Sequence, residues 1–311
     1  MSNANLPERV SEQRDLIVNH IVELMESEGL SWTRGWSNAF SPFNAVSSEP
    51  YRGSNRLNLA LIANIRDYDD PRWVTFNQAK KNGWKVKKGA VSAVVEKWKM
   101  LTFTKEIEGD DGNPDYVTMT FPRCVGYWSV FNACEVEGMP DLVMPTLAQD
   151  SVLDTADSLI ASSRCPVHER TSRLRYADIA CYSPLEDAIY MPGRNQFSSS
   201  QSFLRVLLHE MMHSTSKPLG RDVLNSFGTP AYAFEELIAE LGSAFASAEI
   251  GFDATAGDLD QSSEYYKQHA AYIKSWLAAL RDDPNQLYRA ATEASKAVDL
   301  IISQWRGKMA A

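Results

Sequence analysis

His209 and His213 lie four residues apart in "FLRVLLHEMMHST", with Glu210 directly after the first. On a helix that spacing puts both imidazoles on one face, where two ring nitrogens can aim at a single ion. Glu210, one step around the helix, reaches an open coordination position rather than the ion, and can act there as general base on a water. The competing reading is an amphipathic helix with two solvent-facing histidines. Phe203, Val206, Leu207 and Met211 make the segment largely apolar, and two buried histidines without a partner are costly. The metal reading is therefore preferred.

A catalytic zinc takes three protein ligands and keeps one position open. The segment "AYAFEELIAELGSAF" offers Glu235, Glu236 and Glu240 beside a core face of Phe234, Leu237, Ile238, Leu241 and Phe245. Glu236 and Glu240 share one side of that helix, whereas Glu235 lies about 100° around from Glu236. This spacing predicts Glu236 as the third ligand and Glu240 as the acceptor for the outer N–H of a ligand histidine. The expected cofactor is Zn2+ or another divalent metal such as Mn2+. His20, His168 and His269 have no partner at metal spacing. Cys124, Cys134, Cys165 and Cys181 form no C-x-x-C pair, so they read as reduced, buried and inert thiols.

These groups need a scaffold, and the chain of 311 residues is long enough for two domains. Hydrophobic residues make up 44% and charged residues 23%, as in globular proteins with substantial cores. There is no apolar run long enough to cross a membrane, and the polar start "MSNANLPERVSEQRD" has no apolar signal core. A cytoplasmic protein is expected.

Apolar spacing predicts a helix between Glu12 and Glu28 ended by Gly29, and a second through Leu57, Leu61 and Ile65. The runs "RWVTF", "AVSAVVEKW", "DYVTMTF" and "CVGYWSVF" read as four strands, with a short helix "FNQAKKNG" after the first. "EIEGDDGNPD" reads as an exposed acidic loop. The second half reads as helices over residues 153–162, 200–214, 231–248, 265–280 and 285–306, with a hairpin or a pair of edge strands in "DIACYSPLEDAIYMP". The expectation is an α+β fold: a first domain over 1–142, a linker over 143–150 and a mainly helical domain over 151–311.

The net charge of -9 argues against unselective nucleic-acid binding, yet it hides a local reversal. From Arg72 to Lys105 there are nine Lys or Arg against the single Glu96. Tryptophans alternate with the cations in "RWVTFNQAKKNGWKVKKG" and "EKWKM". Bases stack on aromatic faces while cations meet phosphates, so this interleaving suits single-stranded nucleic acid. The expected contacts are Arg52, Asn55, Arg72, Trp73, Lys80, Lys81, Trp84, Lys85, Lys87, Lys88 and Trp98, with Asn44, Tyr51 and Asn58 adding polar groups. The plainer reading makes the tryptophans a small core and the lysines a solvated face.

The segments "PYRGSNRLNLALI", "RWVTFNQAKKNGWKVKKGAVSAVV" and "YWSVFNACEVEGM" resemble the N-terminal domain of ArdC-type antirestriction proteins, a domain shared with plasmid primases. "LLHEMMHSTSKPLGRD", "AYAFEELIAELGSAF" and "HAAYIKSWLAAL" resemble the zincin-like metallopeptidase domain that follows in that family. The resemblance implies a single-stranded DNA binding domain, a metal-dependent second domain, and a role on mobile elements in protecting incoming DNA from restriction. Many members carry an aromatic residue and Thr-Gly after the second histidine, where this chain has Ser214, Thr215 and Ser216. Three functions follow: DNA binding coupled to peptide hydrolysis, a non-catalytic coat with a structural metal, or a primase accessory. The last is disfavoured by the lack of an acidic polymerase-like cluster.

Overall fold

The structure, a computed structural model, describes residues 6–29, 32, 41–108, 114–142, 151–170, 179–221, 229–252 and 264–309. Trp36 and the expected linker 143–150 lie outside the described residues.

Helix α1 (Glu8–Glu28) follows Pro7 and stops at Gly29, whose φ of 56° suits a residue without a side chain. After β1 (Phe43–Asn44), α2 (Gly53–Ile65) and β2 (Arg72–Thr75), the short α3 (Phe76–Lys81) is started by a capping box between Thr75 and Gln78. Strands β3 (Lys85–Val86), β4 (Ala93–Glu108), β5 (Pro114–Asn132) and β6 (Val136–Glu137) complete the first half. One sheet has the order β1-β2-β5-β4, and β3 pairs with β6 separately.

β2 covers β5 only from Val130 to Asn132. Beyond that point β4 and β5, strands of 16 and 19 residues, run on as a two-stranded antiparallel ribbon. Two expectations change here. "DYVTMTF" and "CVGYWSVF" belong to one strand, because Pro122 sits where no third strand needs its missing N–H. The acidic segment is also less of a loop than expected, since the ribbon reaches Glu108 and resumes at Pro114.

The second half holds α4 (Ser151–Ser162), β7 (Val167–Arg170), β8 (Cys181–Ser183), β9 (Ala188–Pro192), α5 (Ser200–Ser214), α6 (Ser216–Leu219), α7 (Pro230–Glu249), α8 (Glu264–Asp282) and α9 (Asn285–Met309). β8 and β9 form the expected hairpin, and β7 joins β9 in parallel on its other side. The architecture is α+β. Among the described residues no helix is long and apolar enough to cross a membrane.

The main buried cluster runs through both halves, from Ile17, Ile21, Leu57 and Leu61 to Leu207, Leu241, Ala294 and Val298. Polar links cross the same boundary. Arg14 of α1 holds Glu96 of β4 through two bonds of 3.0 and 2.6 Å, and its third nitrogen donates to Asn285 Oδ1 of α9 at 3.0 Å. Its guanidinium lies over the rings of Tyr288 and Trp98. Arg56 of α2 pairs with Glu249 of α7, and the Gly53 N–H donates to Ser295 Oγ at 2.7 Å.

Candidate metal centre and nucleic-acid surface

α5 starts at Ser199, whose hydroxyl accepts the Ser202 N–H, and α7 starts at Thr229 with Pro230 in its first turn. Both are ordinary helix-start chemistry. The two helices meet at Gly242. A Cβ there would lie 2.6 Å from Met212 Sδ and 2.7 Å from its Cγ. The bare backbone lets α7 approach α5 with Met212 in this position, and the close approach brings the two rows of candidate ligands together.

His209, His213 and Glu236 each offer a ligand atom within 4.8 Å of the others, and all three side chains are inside the protein. The two Nε2 atoms are 3.1 Å apart. Glu236 Oε2 is 3.4 Å from His209 Nε2, and Oε1 is 3.6 Å from His213 Nε2. Donors bonded to a tetrahedral ion at about 2.0–2.1 Å stand about 3.3 Å from one another. The observed triangle therefore fits a divalent ion, and two imidazoles with one carboxylate form a zincin-type donor set.

Behind each histidine stands a carboxylate. Glu240 Oε1 is 3.5 Å from His209 Nδ1, as the spacing predicts, and Arg205 approaches the other oxygen of Glu240 at 3.9 Å. Glu235, set aside on helical phase as a ligand, takes a role that the sequence reasoning missed. Its Oε1 lies 3.3 Å from His213 Nδ1, and Arg221 grips both carboxylate oxygens at 2.9 and 3.0 Å. A signal was present: His213 sits one turn beyond His209 and needs its own acceptor, which a glutamate one position before Glu236 supplies.

Arg221 also donates to Thr215 Oγ1 and the Met212 carbonyl. The Ser-Thr-Ser that departs from the family pattern is thus part of the frame under His213. Glu235→Gln should weaken divalent-metal affinity by about 10–100-fold, and Glu236→Gln by more, as read by chelator competition.

The cluster favours positive charge. Burial would lower the His213 pKa, but Glu236, Glu235 and Glu210 together raise it to about 9. Burial would raise that of Glu235, yet His213 and Arg221 hold it below the usual carboxylate range. Glu210 is buried. Its charge also acts on Cys181, whose thiol is pushed up by burial and then by that carboxylate. The edge strand β8 packs against α5, the helix that carries the candidate base.

The expected DNA residues divide. Trp73 is 0% exposed and Arg72 is buried, its guanidinium held by Asp70 and the Pro140 carbonyl. These two are corrections, because a base cannot stack on a ring sealed in the core. Asn55 spends both ends of its amide on the Glu96 backbone, at 2.8 and 2.7 Å, and Asn58 is fully buried. Arg52 pairs with Asp299. Trp98 donates to Glu96 Oε2, and Trp84 packs beside Val74, Ala79 and Val136. Lys80, Lys81, Lys85, Lys87 and Lys88 are exposed around α3 and β3. Of these, Lys85 faces Glu137 at 3.4 Å, and Lys87 donates to the Cys134 carbonyl.

Residues 11–131 match the N-terminal domain of the anti-restriction factor ArdC, and residues 154–293 match a zincin-like metallopeptidase family. The chain is 32% identical to a DNA primase TraC of Escherichia coli over 303 residues, covering 92% of this chain but only 27% of that protein. It is 30% identical to the uncharacterized protein y4eC of Sinorhizobium fredii, covering 98% and 96% of the two chains. The crystal structure of the metal-free antirestriction ArdC protein from the R388 plasmid is 30% identical. It covers 94% of this chain and 98% of that one, with a TM-score of 0.67; the Mn(II)-bound form gives 0.65. With both halves matched in order and a full-length relative aligned end to end, this chain belongs to the ArdC-type antirestriction family.

Proposed function

We propose that the chain binds single-stranded DNA through its first half, holds one divalent ion at His209, His213 and Glu236, and protects incoming DNA from restriction by coating the strand. The metal half rests on one observation: three ligand atoms converge from two helices, with a carboxylate behind each imidazole. The DNA half is supported by the match to the ArdC N-terminal domain and by the exposed cations of that region. Zn2+ and Mn2+ both suit the donor set.

A peptidase activity of the same site is the second reading, favoured by Glu210 and the adjacent edge strand. A bound divalent ion supplies Lewis acidity toward water and a carbonyl oxygen. Glu210 takes the proton of an attacking water, and Glu235 and Glu240 fix the tautomers and aim of the two imidazoles. β8, the edge strand of its sheet among the described residues, can hold an extended peptide by backbone pairing.

Glu210→Gln separates the two readings. It keeps the side-chain volume and removes the base, so any hydrolysis should fall by about 10²–10⁴-fold, while metal content and DNA binding persist. Plasmid transfer into a restricting host should remain protected if coating is the mechanism. Loss of protection with metal and DNA binding intact would instead assign the function to hydrolysis.

A further inference from the structure

The ribbon formed by β4 and β5 has two faces, because residues paired across it point to the same side and successive pairs alternate. One face carries Met100 beside Pro122 and two hydroxyl pairs, Thr102 with Thr120 and Thr104 with Thr118, each at 3.2 Å. The other is different. From its root outward it presents Lys97 opposite Gly126, Lys99 opposite Arg123, Leu101 opposite Phe121, Phe103 opposite Met119 and Lys105 opposite Val117. Over these five pairs it has four cations and no carboxylate.

Aromatic groups are open on both faces, but Tyr116 and Tyr127 on the first stand opposite Glu106 and Glu96, whereas the rings on this one stand among cations. Phe103 is 53% exposed and Phe121 is 45%. Trp128, at the root of the same face, is 49% exposed. A Cβ on Gly126 would come within 3.1 Å of Trp128 Cη2, so the glycine makes room for the indole to lie against the strand. Among the described residues no third strand pairs with the ribbon beyond Val130, and the hydrogen bonds that α1 and α2 make to it fall at its root, on Val94, Glu96 and Ser129. Large rings left exposed further out mark an interaction surface.

We propose that this basic, aromatic face of the ribbon is the track for the single strand. Trp128, Phe121 and Phe103 stack on bases, and Lys97, Lys99, Arg123 and Lys105 meet phosphates. The inference rests on the single-strand reading above and moves its centre from the α3–β3 lysines to the ribbon. Charge complementarity selects the occupant. A polyanion whose rings can stack answers both features of this face, whereas a peptide pairing on the ribbon edge would use neither. Lys97 to Lys105 spans about 27 Å of strand, enough for several nucleotides. Of the three tryptophans expected from the sequence, Trp73 lies in the core, Trp84 packs beside Val74, Ala79 and Val136, and Trp98 donates to Glu96, so the stacking platform falls to Trp128.

The test uses the full chain and a fluorescent oligo-dT of about 16 nucleotides, with anisotropy followed across a salt series. All the varied side chains are exposed, and a denaturation midpoint equal to that of the unvaried chain confirms each fold. Lys97→Gln, Lys99→Gln and Arg123→Gln together should lower the slope of log affinity against log salt by about 2. Trp128→Ala with Phe121→Ala should weaken binding about tenfold or more and leave the slope unchanged. If both ribbon variants bind normally while Lys80→Gln, Lys81→Gln and Lys88→Gln abolish binding, the track is not on the ribbon and the single-strand reading survives. If the unvaried chain fails to bind the oligonucleotide, both fall. Ribbon variants that change sedimentation but not DNA affinity would make this face a contact between copies and overturn the proposal.

Discussion

His209→Ala and His213→Ala protein should each purify with only traces of divalent metal, against about one ion per unvaried chain. Each change leaves one imidazole and one carboxylate, too few donors to hold zinc or manganese against water. Elemental analysis reads the result, and full occupancy in the double variant would remove the centre assigned here. The pH dependence gives a second signature. Without an ion, His213 keeps its proton up to about 9 because Glu236, Glu235 and Glu210 surround it. A metal must displace that proton, so affinity should climb by up to about tenfold per pH unit below that value. Stability of the stripped chain should run the other way. The raised His213 pKa stabilises the fold below about 6.5, and this contribution disappears as pH rises through about 9. Opposite slopes for loaded and stripped protein are therefore expected in pH-dependent denaturation.

Arg14→Ala should be the most destabilising single change outside the metal site. Both members of the Arg14–Glu96 pair are almost fully buried, with side-chain exposures of 5% and 1%. Removing the arginine leaves a carboxylate in the core that retains only the Trp98 indole as a side-chain donor among these contacts. Breaking a pair of this kind costs about 3–5 kcal/mol. Asn285 loses its donor from α1 as well, and Tyr288 loses the cation over its ring. Arg14→Met combined with Glu96→Leu should recover much of the loss, because no charge is then stranded. A denaturation midpoint for Arg14→Ala close to that of the unvaried chain would show that the pair contributes little.

The helices were legible because each carries its own signals. The residue 200–214 segment combines an apolar face with a serine cap, and α5 has those bounds. His209, His213 and Glu236 could be brought together on paper because helical phase fixes which side chains share a side. The ribbon was harder to read. Pro122 and Arg123 interrupt the alternation of β5, and whether a proline breaks a strand depends on neighbours that sequence does not display.

Burial of single tryptophans was illegible for a related reason. Trp73 stands beside Asp70 and Arg72 and Trp128 in the uncharged run "CVGYWSVF", yet the first faces the core beside Tyr68 and the second faces water. Strand register and partner decide this, and both are set by long-range pairing. The role of Glu235 was not legible from helical phase, which places it away from Glu236, and only the packing of α7 on α5 shows that this side faces His213.

The shared core has a consequence for inheritance. Recombination that exchanged only one half of this chain would have to match Arg14 with Asn285, Arg56 with Glu249 and Gly53 with Ser295 at a new seam. Most such crosses would strand a charge or open a cavity, so the halves are expected to move between genomes as one cassette. The Escherichia coli TraC primase fits this expectation: the stretch similar to this chain takes up 27% of its length and covers 92% of the chain.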